Sequence, residues 1–145
     1  MATSLRYENG TLQSLVSATD LASLAAGSGV VGTTAYDNSA AGNQYFWGDF
    51  VLTLTFATAP TLNKPVDIYL IPSYDGGTTY VDASGSAPSP SHYVGSVGVS
   101  STTSAQVKTL RGISLPPVIF KVLVINSADQ ALGAAGSTVK VNAGV

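Results

Sequence analysis

Residues Asp49 to Thr58 read Asp-Phe-Val-Leu-Thr-Leu-Thr-Phe-Ala-Thr. In an extended chain, successive side chains leave opposite faces. Phe50, Leu52, Leu54 and Phe56 therefore share one face, and Val51, Thr53, Thr55 and Ala57 share the other. A helix would scatter these two sets around its axis. The segment thus predicts a strand, from about Trp47 to Thr58, with one dry face and one turned to solvent or a neighbour.

The same pattern recurs on both sides of it, punctuated by Gly, Pro, Asn and Asp. Further strands are predicted over Thr11 to Val16, Leu21 to Ala25, Val66 to Ile71, Val94 to Val99, Ala105 to Leu110, Val118 to Ile125 and Ser137 to Val141. Pro60 to Pro65 form a turn, and Pro72 is expected to end its strand because proline cannot donate to a ladder. Tyr74-Asp75-Gly76-Gly77-Thr78 is a second turn signal. Val118 to Ile125 is apolar except for Lys121, as suits a central strand buried on both faces. Thr19-Asp20 ahead of Leu21 to Ala26 also fits a capped helical turn, so that segment stays open between strand and turn. Ala128 to Ala135 is too short for a helix, and Ala83 to Ser91 reads as an exposed Pro/Ser loop. About eight strands without helices define an all-β single domain over 1–145, an antiparallel sandwich or barrel. Its core is predicted to set Phe50, Leu52, Leu54 and Phe56 against Val118, Phe120, Val122 and Val124.

Composition narrows the functions. The 145 residues are 45% hydrophobic, enough for one buried core, but only 10% charged. Ordinary soluble domains carry about a quarter charged residues, so much of this surface is expected to be covered in the working state. A net charge of −2 with scattered Lys and Arg offers no footprint for nucleic acid. The absence of cysteine removes disulfides, thiolate metal sites and cysteine nucleophiles. No apolar run approaches the roughly 20 residues of a membrane span, and the first residues lack signal-peptide character.

Chemistry-bearing motifs are sparse. Gly27-Ser28-Gly29-Val30-Val31-Gly32 matches G-x-G-x-x-G, but no helical periodicity follows, so it reads as a loop. The sole histidine, His92, sits beside the Pro/Ser loop and reads as solvent-exposed. No G-x-S-x-G elbow supplies it with a nucleophile. One His and no Cys argue against zinc, and Asp37, Asp49, Asp75 and Asp82 lack the spacing of a calcium loop and read as turn caps. Asn9-Gly10-Thr11 fits the glycosylation pattern, to which a chain without a signal peptide gives no use. The expectation is a protein without enzymatic activity, catalytic residues, cofactor or metal. Tyr74, Tyr80 and Tyr93 are the candidate interaction residues, since exposed aromatics near sandwich loops can stack on sugar rings.

Several short segments carry a resemblance. Leu21-Ala22-Ser23-Leu24-Ala25, Asp37-Asn38, Tyr69-Leu70-Ile71-Pro72-Ser73-Tyr74-Asp75-Gly76 with Tyr80, Leu115-Pro116-Pro117, Asn126, and Ala131-Leu132 leading to Gly136 are similar to a recurring pattern in small tailed-bacteriophage virion proteins. The resemblance implies a jelly-roll sandwich that assembles on the phage particle and brings no catalytic residue with it. A capsid decoration or cement protein is the leading expectation, bound to the major capsid protein and to copies of itself, and located in the virion after assembly in the host cytoplasm. The alternative is a tail- or fibre-associated sandwich that binds host-surface glycans. Residues Met1 to Gly10 are expected to form an extended arm.

Overall fold

The computed structural model describes residues 11–40, 44–85 and 88–144. The arm expected over Met1 to Gly10, and Asn9 and Gly10 of the glycosylation pattern, lie outside the described residues. The strands are β1 (Gln13–Val16), β2 (Gly29–Val31), β3 (Tyr36–Asp37), β4 (Trp47–Leu54), β5 (Pro65–Ser73), β6 (Tyr93–Gly98), β7 (Gln106–Ser114), β8 (Ile119–Asn126) and β9 (Thr138–Gly144). A short 3-10 turn, Pro90–His92, precedes β6, and no α-helix occurs among the described residues.

One sheet runs β1-β9-β4-β7; the other runs β2-β8-β5-β6, with β3 also on β8. Every pairing is antiparallel. β2 and β3 pair with β8 in succession, Val31 opposite Leu123 and Tyr36 opposite Phe120, so they act as one interrupted strand. The pairings then nest: β1 with β9, β2/β3 with β8, β4 with β7, β5 with β6. The first half of the chain lies against the second as one long hairpin. Rolling that hairpin sets β9 beside β4 and β8 beside β5, which is the wrap of a jelly-roll sandwich.

The alternation in β4 turns Phe50, Leu52 and Leu54 inward, beside Val139 and Val141 of β9. Val66, Ile68 and Leu70 of β5 and Phe120, Val122 and Val124 of β8 supply the facing layer, and all belong to one buried cluster. Each such side chain withdrawn from water contributes about 1.5–3 kcal/mol. Phe56 also lies in the cluster, although β4 stops at Leu54. Its backbone continues as an isolated bridge to Leu132. Val118 does not join: β8 begins at Ile119, and Val118 stands half-buried in the bend before it.

Other boundaries shift for physical reasons. Leu21 to Ala25 is turn and coil. Its amides bond backward, Leu21 N–H to Ser17 O and Leu24 N–H to Leu21 O, so local bonds displace a strand there. The segment read as a Gly-rich loop contributes β2. Pro72 lies inside β5, opposite Phe120. Its carbonyl accepts from Val81 N–H, away from β8, and in an extended strand a residue's N and O point the same way. The missing N–H therefore falls on the side β6 has already left, since the β5–β6 register ends at Tyr69.

The two outer faces differ. On the β2-β8-β5-β6 sheet, Ile71 and Leu123 are fully buried although they alternate away from the core. Residues of the connection after β5 lie against this sheet, Val81 N–H bonding Pro72 O and Gly85 meeting Gly29. Lys121 Nζ sits 4.7 Å from the centre of the Tyr80 ring. Only glycine fits at position 29, because a Cβ there would stand 2.2 Å from the Gly85 carbonyl oxygen. On the other sheet the outward set includes Trp47, Asp49, Val51, Thr53, Val107, Thr109, Thr138, Lys140 and Asn142, half-buried or exposed and uncovered by any described segment, with the exposed Arg111 4.0 Å from Asp49.

Candidate functional site

Antiparallel order sends the loops 17–28, 55–64, 99–105 and 127–137 to one end of the sandwich. The loops 38–46, 74–92 and 115–118 meet at the other, with the start of β1 and the close of β9.

The first end is tied by polar groups. Asn126 is fully buried. Its Nδ2 donates to Leu24 O and Gln130 O, and its Oδ1 accepts from Ala128 N–H, joining two loops. Thr55 Oγ1 donates to Ala135 O at 2.6 Å, and Gln106 brackets Ser100 through both amide atoms. Asp129 accepts from the Thr61 amide and hydroxyl. Asp20 accepts from the amides and hydroxyls of Ser17 and Thr33. Desolvation pushes the Asp20 carboxyl up, but these donors outweigh it and its pKa lies below the ordinary value.

Among the described residues the second end has one buried side chain that ties loops in the same way. Asn38, also fully buried, donates to Tyr45 O and Pro116 O and accepts from Tyr45 N–H. Around it the surface is aromatic. Tyr36 stacks on Phe120 with centroids 5.3 Å apart, Phe46 is 73% exposed and Tyr74 is 76% exposed. Asp75 folds the turn after β5: its Oδ1 accepts from Thr79 N–H, Ser73 Oγ and Thr78 N–H. The Thr79 amide and then the Ser73 hydroxyl stabilise the carboxylate and lower its pKa to about 2.

Between the turn after β5, the start of β6 and the close of β7 lies a cavity of about 260 Å³. Leu70, Pro72, Tyr74, Ser91, His92, Val94, Ser114 and Pro116 line it. His92 is not the solvent-exposed residue the sequence suggests. Its side chain is 17% exposed, and Nδ1 lies 3.3 Å from Asp82 Oδ2. Nδ1 is buried and lacks an aligned hydrogen bond. Asp82 adopts a left-handed backbone, φ 55°, and its Oδ2 also accepts from Ser89 N–H.

The three tyrosines singled out by sequence do not converge. Tyr74 lines the cavity, Tyr80 is engaged by Lys121, and Tyr93 packs edge-on against Tyr69 at 5.4 Å while donating to Ser96 Oγ. The Asp82–His92 pair and the contributions of Ser114 and Pro116 were invisible to periodicity. Their one sequence signal is an acid and the sole histidine flanking the same Pro/Ser loop. Among the described residues no group of three or more His, Cys, Asp or Glu is placed to hold a metal ion. No helix of the described residues is long and apolar enough to cross a membrane. The chain matches no protein-family model and no curated protein.

Proposed function

We propose that this chain is a structural protein of a phage virion, a decoration or cement protein that sits on the major capsid lattice. One observation carries the reading: among the described residues the jelly roll leaves one broad sheet face uncovered, and that face is mostly Thr and Val, its charges being Lys140 and the paired Asp49 and Arg111. Val51 lies between Thr109 and Lys140, and Thr53 between Val107 and Thr138. Val107 stands exposed on the edge strand β7. A flat face of Thr and Val suits close packing against another protein, because burying it strands few charges. Jelly rolls also recur in viral capsid proteins, a likeness of fold alone. In this role the loops and the uncovered face contact the capsid protein and further copies of the chain. No reaction is assigned to it. Many weak contacts on one lattice then combine through avidity.

The test is stoichiometry. Particles are purified, and this chain is quantified against the major capsid protein on a stained gel. A ratio near a fixed fraction of the lattice supports decoration. A few copies per particle point instead to the tail, and absence from particles overturns the virion assignment.

A further inference from the structure

Beyond the structural role, we infer that the cavity beside Tyr74 is a binding subsite for a single ring of a neutral saccharide. Tyr74 supplies the platform. An aromatic ring left 76% exposed at a cavity rim, one residue after a buried strand, is not serving the core. Its face can stack on the apolar C–H face of a pyranose, the kind of contact aromatic side chains make at half-wet sites.

The polar complement is also present. His92 is the one imidazole of the chain, and it lines the cavity with its Nδ1 turned toward Asp82. Asp82 is fixed in turn by the Ser89 amide. With Nδ1 buried against Asp82, Nε2 is the ring nitrogen left for a ligand hydroxyl. The hydroxyls of Ser114 and of Ser91, which also bonds the Ser89 hydroxyl, lie on the same walls. Leu70, Pro72, Val94 and Pro116 make up the apolar remainder, matching the pattern of a small-molecule site: mostly apolar walls with a few placed polar groups.

Size and charge select the ligand. About 260 Å³ falls just short of the roughly 300 Å³ at which drug-sized pockets begin, enough to seat one ring. No Lys or Arg lines the cavity, and His92 already faces a carboxylate. An acidic sugar or a phosphate would find no dedicated cation there.

The experiment is saturation-transfer NMR on the intact protein, with methyl glycosides of glucose, galactose, mannose, N-acetylglucosamine, fucose and rhamnose as probes. Transfer to at least one glycoside is expected. Tyr74→Ala weakens that binding roughly tenfold or more, the scale of one lost stacking contact, and Tyr74→Phe restores it. His92→Ala also weakens it. Phe46→Ala, which removes an equally exposed ring from the same end but outside the cavity, leaves it unchanged. Thermal melts establish that each variant is folded. Transfer to none of the six glycosides overturns the assignment, as does binding that survives Tyr74→Ala or vanishes with Phe46→Ala. A charged or peptide probe displacing the glycosides from an unaltered Tyr74 site overturns the neutral-sugar choice. The assay uses isolated protein, so its outcome is independent of copy number on particles.

Discussion

Each end of the sandwich is tied by one fully buried asparagine, yet the two ends are built differently. Asn126 works inside a dense network: Ser23 N–H bonds Gly133 O, Leu132 N–H bonds Leu24 O, Gly133 N–H bonds Thr55 O, and Thr55 bonds Ala135. Asn38 joins Tyr45 to Pro116 with the Leu115–Phe46 backbone bond beside it, while exposed rings and cavities occupy the rest of that end. A jelly roll needs its loops held somewhere to keep its two sheets in register. With one end serving that purpose, the other is free to vary its loops, and binding surfaces gather on such loops over a rigid body.

The largest expected effect concerns what both ends depend on. Phe120 is fully buried, stacks on Tyr36 and stands opposite Pro72. Phe120→Ala should destabilise the protein by about 3–5 kcal/mol, the range for a large aromatic removed from a packed core. Chemical denaturation measures it. A variant that unfolds at the parent's midpoint would mean the two sheets do not share a core there.

The asparagines sharpen the contrast next. Asn126→Ala should cost about 2–4 kcal/mol, because the surrounding bonds keep Gln130 O and the Ala128 amide, which lose their partner, in place and out of water. Asn38→Ala should cost less, about 1–2 kcal/mol, because the sparsely tied loops can swing and let water replace the lost donors. Hydrogen exchange should rise at the Tyr45 and Leu115 amides in the Asn38 variant and stay low around 127–133 in the other. Equal costs with equal exchange would erase the distinction between the ends.

Much of the body was legible in the sequence. Phe50 to Phe56 and Val66 to Leu70 declare their inward faces by period two, and Val118 to Ile125 declares a central strand by an apolar run that only Lys121 interrupts. The places where reading failed share a cause: tertiary pairing outweighs local signal. β2 and β3 span three and two residues, too short for any period to show, and exist because β8 offers them a partner. Pro72 continues β5 because its missing donor falls on an unpaired side. Gly85, at the start of the Pro/Ser stretch, sits against Gly29, a contact no composition rule contains. The cavity draws on β5, β6, β7 and two loops, so Leu70, His92 and Pro116 meet only after the chain has rolled up. Asn38 and Asn126 are single polar residues, and a polar residue in isolation reads as surface.

Acid provides a finer probe, since each end also carries a carboxylate with a lowered pKa. Asp75 is lowered from 3.8 to about 2 by the Thr79 amide and the Ser73 hydroxyl, and Asp20 is lowered by Ser17 and Thr33 against its own desolvation. A folded-state pKa below the unfolded value adds stability that is present above the unfolded value and disappears as pH falls through the folded one. Melting temperature should therefore fall from about pH 4 toward about pH 2 in the parent. Asp75→Asn keeps the accepting oxygen but cannot titrate, so its melting temperature should fall less steeply over that window. Asp20→Asn should flatten the same slope from the opposite end of the molecule. An unchanged slope in both variants would place the acid sensitivity elsewhere.

The smallest effect is also the most telling about division of labour. Tyr74→Ala removes a whole aromatic ring, a change that in the core would cost several kcal/mol. At 76% exposure the ring has little to lose on the folded side, and its hydroxyl makes no described hydrogen bond to the body. Its removal should shift stability by no more than about 0.5 kcal/mol, as for ordinary surface positions. Thr55→Val at the tied end removes far less volume, yet it strips the donor from Ala135 O and an acceptor from the Ser137 hydroxyl and should cost about 1 kcal/mol. Parallel melts of the two variants make the comparison directly. If the ring proves the costlier loss, Tyr74 is part of the fold, and the end it stands on is no freer than the one opposite.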